Sequence, residues 1–391
     1  MRIVVAMDKF KGTVTAFEAC AAVARGLHRA RPDIEVVELP MADGGDGTLD
    51  VLLHHGYDQY LIPLLGAHGV PRSARVARQG RTTLIEVAEI CGLGATEPTA
   101  EMAEHADSTG VGEAIVDALD VGASEIEVAL GGSATSDGGA GMLRGLGARF
   151  LDAQGRPLAA GGSALTGLAR IDWSGLDPRL TTIRLVGLRD VDSPVLGPVG
   201  AARRFGPQKG ADSEAVDRLE TGLAQFASVV AHMPPPTGFV APDTPGSGAA
   251  GGLGWAILLL GGSLTSGGDR IAGALGLDEM IASSDAVITG EGRLDEQTLM
   301  GKSPAVVIYA ARRHARPVAA VAGQNRLGED PSRFGLAEVL SLECLASGTA
   351  RNPALTVTTL ERAGAMIAEG MVRRISASAS MMAVPSPTKG Q

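Results

Sequence analysis

Lysine is scarce in this chain and is placed in a telling way. The sequence has 34 Lys and Arg together but only five lysines, Lys9, Lys11, Lys209, Lys302 and Lys389. Four of the five stand in glycine-bearing loops, where a compact ammonium can meet a phosphate as a point charge. Carboxylates gather in the same kind of loop: Asp8, Asp43, Asp46, Asp137, Asp190, Asp192, Glu291 and Asp295. Phosphoryl transfer asks for two carboxylate roles, one holding Mg2+ against the phosphates and one orienting the attacking hydroxyl. Taken singly, each Asp is as readily a turn or cap residue. The argument rests on their grouping with lysine and glycine.

The strongest local feature is the loop Leu130 to Met142, LGGSATSDGGAGM, after the apolar run Ile126 to Leu130. Backbone amides of Gly131, Gly132, Gly138 and Gly139 could cradle phosphate, with Ser133, Thr135, Ser136 and Asp137 completing the loop. The helix expected after it would turn its positive end to the anion. Three look-alikes fail. Ser133 is no nucleophile elbow, because Thr135 stands where GxSxG needs glycine. Gly246 to Gly251 spells GxGxxG but follows a proline-rich stretch and not a strand. Gly301-Lys302-Ser303 resembles the end of a Walker A loop, but Glu296 occupies the place of its first glycine.

The elements that must carry these loops are legible in outline. Ile3 to Ala6 reads as a buried strand, Asp8 to Gly12 as a turn, and Thr15-x-x-Glu18 as a capping box opening a helix. The helix stops before Pro32 and a second strand spans Ile34 to Leu39. The loop Asp43 to Gly47 follows, with Thr48 placed to cap the next helix. Late in the chain come a strand over Ala286 to Thr289, a helix over Ala305 to His314 and a strand over Val318 to Ala322. Continuous apolar runs of this kind are buried parallel strands, whose carboxyl ends are where open α/β sheets bind ligands. The expected fold is α/β, with a parallel-sheet domain of flavodoxin or Rossmann type made from both chain ends, 1–60 and 285–375. A second α/β domain, 61–284, is inserted, and 376–391 reads as a disordered tail.

Composition bounds the function. Glycine is 54 of 391 residues, about twice the usual share, while the chain is 45% hydrophobic and 20% charged. A net charge of −10 argues against a nucleic-acid partner. Three separated cysteines, Cys20, Cys91 and Cys344, give neither a disulfide framework nor a zinc site, which suits a reducing cytoplasm. No apolar stretch is long enough to span a bilayer. The seven histidines form no metal-ligand spacing. A homodimer is left open.

With these loops in hand, the sequence resembles the bacterial glycerate kinase family, whose members have two α/β domains and no Walker A loop. The resemblance runs over nearly the whole chain. It is carried by Asp8 to Gly12, Ala42 to Thr48, Ile85-Glu86, Ser108 with Gly110 to Glu113, and the loop Gly131 to Met142. Asp190 to Pro198, Phe205 to Gly210, and Thr289 to Asp295 with Gln297-Thr298 complete it. Departures from the family pattern include Met7, Lys9, Arg189 and Ser193. The resemblance implies a cleft between two domains for ATP, Mg2+ and D-glycerate, with phosphorylation to 2-phosphoglycerate. On that reading Gly131 to Gly139 bind the phosphates, and Lys11, Lys209 and Arg293 stabilise charge. Asp190 and Asp192 hold Mg2+, and Asp8, Asp43 and Asp295 are candidates for orienting the hydroxyl. Residue spacing alone does not separate a 2-phosphate from a 3-phosphate. Two other readings keep the fold: a kinase of another small hydroxy acid, and a ligand-binding regulator without turnover.

Overall fold

A computed structural model describes residues 1–94, 97–296, 298, 301–328 and 330–382, with 372–382 as backbone only. Gln297, and the part of the expected tail from 383 on, lie outside the described residues. In chain order the strands are β1 (Arg2–Met7), β2 (Glu35–Glu38), β3 (Asp58–Leu65), β4 (Pro71–Gln79), β5 (Thr82–Glu86), β6 (Glu125–Ala129) and β7 (Arg149–Leu151). Then follow β8 (Arg170–Asp172), β9 (Arg184–Arg189), β10 (Ser263–Ser266), β11 (Ala286–Leu294), β12 (Val318–Asn325) and β13 (Glu338–Ser341).

The chain divides into two compact units, one of residues 1–42 with 271 onward, the other of residues 43–270. The sequence had suggested 60/61 and 284/285. Both limits move because the helix Thr48–His54 packs on β4 and β5, while the helix Leu277–Ala282 packs on the helix Ser303–Arg313. The last helix, Pro353–Met382, continues past residue 376, where the sequence placed the start of a tail.

The first unit is a fully parallel sheet in the order β2-β1-β11-β12-β13. Counted along the chain this is the 2-1-3-4-5 order of flavodoxin-like folds, so the expected class holds. Ile3 to Met7 are wholly buried, as a strand covered on both faces requires. The capping box forms as read: Thr15 N donates to Glu18 Oε2 at 2.8 Å, and Glu18 N donates to Thr15 Oγ1 at 3.2 Å. That helix, Ala16–Ala30, crosses Pro353–Met382 so closely that a Cβ on Gly26 would run into the Glu361 carbonyl.

The second unit holds a six-stranded sheet in the order β10-β9-β6-β5-β4-β3, with its first four strands parallel and the last two antiparallel. Edge-to-face contacts of Phe226 with Trp255 and Phe150, at 4.9 and 5.3 Å between ring centroids, lie in its core. Among the described residues no helix is long and apolar enough to cross a membrane.

Candidate active site

Each unit brings predicted residues to the carboxyl ends of its parallel strands. In the first unit the strand order reverses between β1 and β11, the switch point at which such sheets bind ligands. β1 ends into Asp8, whose N–H donates to the Gly290 carbonyl at 2.9 Å. The Asp8 carboxylate is buried: Oδ2 accepts from Ser303 Oγ at 2.7 Å, Oδ1 accepts from Lys9 N at 2.6 Å, and Lys9 Nζ stands 3.5 Å away. Ser303 opens the helix Ser303–Arg313, and its neighbour Lys302 lies 4.0 Å from Glu291. Sequence reading set these two aside as a failed Walker match. The spelling Gly-Lys-Ser was nevertheless the signal that could have found them. Lys11 is exposed, and its amide would stand 3.4 Å from a Cβ on Gly292. Arg293 and Asp295 pair with each other at 3.2 Å, and Asp295 also accepts from Thr298 N at 3.2 Å.

The second unit gathers the rest. β6 runs into Gly131, whose amide donates to the Gly44 carbonyl at 3.1 Å, so the loops 43–47 and 131–139 lie against each other. A Cβ on Gly44 would meet Gly267 and Leu188 at 3.1 and 3.2 Å, and its φ of +86° suits only glycine there. Asp43 Oδ1 accepts from Gly45 N at 3.2 Å. Among the described residues the amides of Gly132, Ser133, Thr135, Ser136 and Asp137 donate to no protein acceptor. Gly132 is exposed and Ser133 6% exposed, whereas Thr135, Ser136 and Asp137 are wholly buried, so the first two are the amides open to an anion. Beneath them lies Lys209, 3% exposed, with Nζ donating to Ser133 Oγ at 3.1 Å and to the Thr135 carbonyl at 2.6 Å. Burial pushes this ammonium down to about 8.

Other parts of the loop do something different from what the sequence suggested. Asp137 is turned inward and accepts from Ser108 N, Ser108 Oγ, Gly139 N and Gly141 N at 2.7 to 3.0 Å. It therefore occupies amides at the start of the helix Ala140–Gly145, the end that sequence reading had aimed at an anion. Burial pushes the Asp137 carboxyl up. Gly138 and Gly139 have φ of +68° and +77°, and a Cβ on Gly138 would stand 2.8 Å from Phe226. They are glycine because the helices beneath come so close. Thr135 and Ser136 are wholly buried. The GxGxxG spelling at 246–251 is a packing surface, with Gly251 pressed on the Thr135 carbonyl.

β9 ends into Asp190 and Asp192. Asp192 is exposed and ion-paired with Arg189, which also donates to the Val191 carbonyl at 3.2 Å. Among the described residues no three His, Cys, Asp or Glu side chains form a metal-holding group. Asp190 and Asp192 are two carboxylates in one loop, hard oxygen donors of the type that Mg2+ takes.

Glu86 was not read as a site residue, and Thr48 was misread as a cap. The helix Thr48–His54 begins at Gly47, φ +88°, without a side-chain cap, and Thr48 Oγ1 instead donates to the Gly45 carbonyl at 2.6 Å. Glu86, the last residue of β5, does the capping from across the sheet: it accepts from Gly47 N at 3.2 Å and Leu49 N at 2.7 Å.

Residues 3–372 match the model of the glycerate kinase family. The chain is 41% identical over 327 residues to a glycerate kinase of Bacillus subtilis (strain 168), covering 83% of this chain and 85% of the relative. It is 39% identical over 331 residues to the glycerate 2-kinase of Escherichia coli (strain K12), covering 83% and 85%. A crystal structure from Salmonella typhimurium LT2 described as glycerate kinase 2 superposes with a TM-score of 0.76 at 36% identity, over 96% of this chain and 99% of that one. A parallel-sheet enzyme with its loops of glycine, lysine and aspartate at the strands' carboxyl ends, this chain belongs to the glycerate kinase family of phosphotransferases.

Proposed function

We propose that the chain transfers the γ-phosphoryl group of ATP to the 2-hydroxyl of D-glycerate, giving ADP and 2-phospho-D-glycerate. The observation that carries this reading is the glycine loop, whose unpaired amides lie over the buried Lys209 ammonium. A phosphate oxygen would satisfy the amides of Gly132 and Ser133, at the surface of the loop, and no covalent intermediate is needed. In the step itself the substrate oxygen bonds to the γ-phosphorus as the bond to the ADP oxygen breaks, and the hydroxyl proton leaves to a carboxylate. Asp8 is our choice for that carboxylate, because Ser303 and Lys9 fix its orientation. Asp43 and Asp295 are each engaged in their own turns. Lys11 and Arg293, both exposed, are free of the core to neutralise phosphate or substrate carboxylate.

Asp190 and Asp192 are the residues that would hold Mg2+, which when bound supplies charge neutralisation on the phosphates. The choice of the 2-phosphate follows the Escherichia coli relative, a glycerate 2-kinase.

The test is glycerate-dependent ADP release by the purified protein with ATP and Mg2+, followed by phosphorus NMR of the product. A 2-phosphoglycerate signal is expected. A 3-phosphoglycerate signal overturns the regiochemistry, and no glycerate-dependent release overturns the acceptor.

A further inference from the structure

Glu86 has no part in the chemistry described so far, yet its placement is unusual. It ends β5 beside Ala129 of β6, so its strand neighbour leads directly into the glycine loop. Its carboxylate is 2% exposed and has no cation partner among the described residues. Both oxygens are spent on one task, accepting the amides of Gly47 and Leu49 at 3.2 and 2.7 Å. Those amides follow directly on the loop that carries Asp43 and lends the Gly44 carbonyl to Gly131. Gly47 has no cap of its own. A buried carboxylate is costly, and a neutral side chain would fill the place more cheaply if packing were its only role.

We propose that Glu86 is the positioning residue of the active-site loop 43–48, holding it in register with the glycine loop 131–139 through the amides of Gly47 and Leu49. This rests on the phosphoryl-transfer reading for its effect on turnover, but not for its effect on the loop. The charges facing Glu86 are Asp46, on the held loop, and Glu89, in the helix Val87–Cys91. Arg75 of β4 is occupied by Glu89 and Asp50. Burial foremost, with the two acidic neighbours, pushes the Glu86 carboxyl up to about 7. Its grip therefore weakens as pH falls through neutrality, when a proton takes one of the two acceptor positions.

Glu86→Gln keeps the shape but turns an NH2 toward one of two N–H donors, and it cannot titrate. At pH 8 the variant is expected to lose about 10-fold in kcat, with the KM for glycerate changed less than 3-fold, since displacement of catalytic groups by an ångström is costly. The acid limb of the wild-type kcat profile is expected to flatten in the variant. Hydrogen exchange gives a readout independent of turnover: amides of 45–49 should exchange about 10-fold faster in Glu86→Gln than in wild type at equal pH. Were the variant not to fold, the wild type alone decides, since protection of 45–49, corrected for intrinsic rates, should fall from pH 8 to pH 6. Unchanged protection in these comparisons, or wild-type kcat with an unchanged acid limb in a folded variant, overturns the proposal. Wild-type protein without turnover but with the expected exchange pattern overturns the kinase reading alone.

Discussion

The Lys209 ammonium donates a 2.6 Å hydrogen bond to the main-chain carbonyl of Thr135, 74 residues away in sequence. A cation that could have faced solvent thus lies beneath the glycine loop. It fixes the backbone on which Ser133 and Thr135 ride, and on the proposed function it would act on an anion through the loop, by charge across a short buried distance.

Replacing this residue by Lys209→Met should lower kcat/KM for ATP about 100-fold, the usual cost of losing one preorganised charge stabiliser. Lys209→Arg should not restore it, because a buried site shaped for an ammonium has no room for a planar fork. The charged form exists below the folded value of about 8. The wild-type kcat/KM should therefore decline as pH rises through 8, and this alkaline limb should be missing from Lys209→Met. Stability moves the other way. Between about 8 and the ordinary lysine value of 10.5 the unfolded chain binds more protons, so unfolding free energy should rise with pH in that window, as urea titrations would measure.

Asp137 is a structural counterpart. Its four donors, from Ser108, Gly139 and Gly141, are all buried with it. Asp137→Ala should leave them unmet and cost about 3–5 kcal/mol of unfolding free energy. A loss below about 1 kcal/mol in urea unfolding would show that the loop holds its shape without this carboxylate.

The reach of the sequence can be judged from residues such as these. The capping box at Thr15 and Glu18 was readable because both partners lie within one helical turn, and the parallel strands because buried strands are continuous apolar runs. The glycine loop announced itself by composition. What composition could not say is which glycines serve a ligand: Gly138 and Gly139 answer to Phe226 and the helices beneath. Glu86 was invisible as a cap because its amides lie 37 and 39 residues away, and no local pattern records a contact made by sheet topology. Lys209 was found by its rarity, yet its burial depends on packing that no spacing reveals.

The crossing of the helices Ala16–Ala30 and Pro353–Met382 rests on Gly26 and Gly364, with Arg25 and Arg29 both paired to Glu361. A methyl at Gly26 would strike the Glu361 carbonyl. Gly26→Ala should destabilise the chain by about 1–3 kcal/mol despite alanine's better helix propensity, since overpacking outweighs that gain of about 1 kcal/mol. Thermal unfolding of the variant checks the sign: a rise in Tm would mean that propensity wins and that the helices separate cheaply.

Arg189 sets the last prediction. Its guanidinium is ion-paired with Asp192, one of the two carboxylates assigned to Mg2+, and its stem lies over Gly246, where a Cβ would strike it. A cation binding at Asp192 must compete with that pair. Arg189→Ala removes the competitor, and should lower the Mg2+ concentration needed for half-maximal turnover by several-fold. Asp190→Asn and Asp192→Asn should each raise it, by about 10-fold for a lost carboxylate ligand in a site otherwise completed by water and phosphate. Titrating Mg2+ at saturating ATP and glycerate separates the two effects. If the half-saturating concentration rises in Arg189→Ala, the guanidinium assists the phosphates more than it hinders the metal; if it is unchanged in Asp192→Asn, Asp192 is not a ligand.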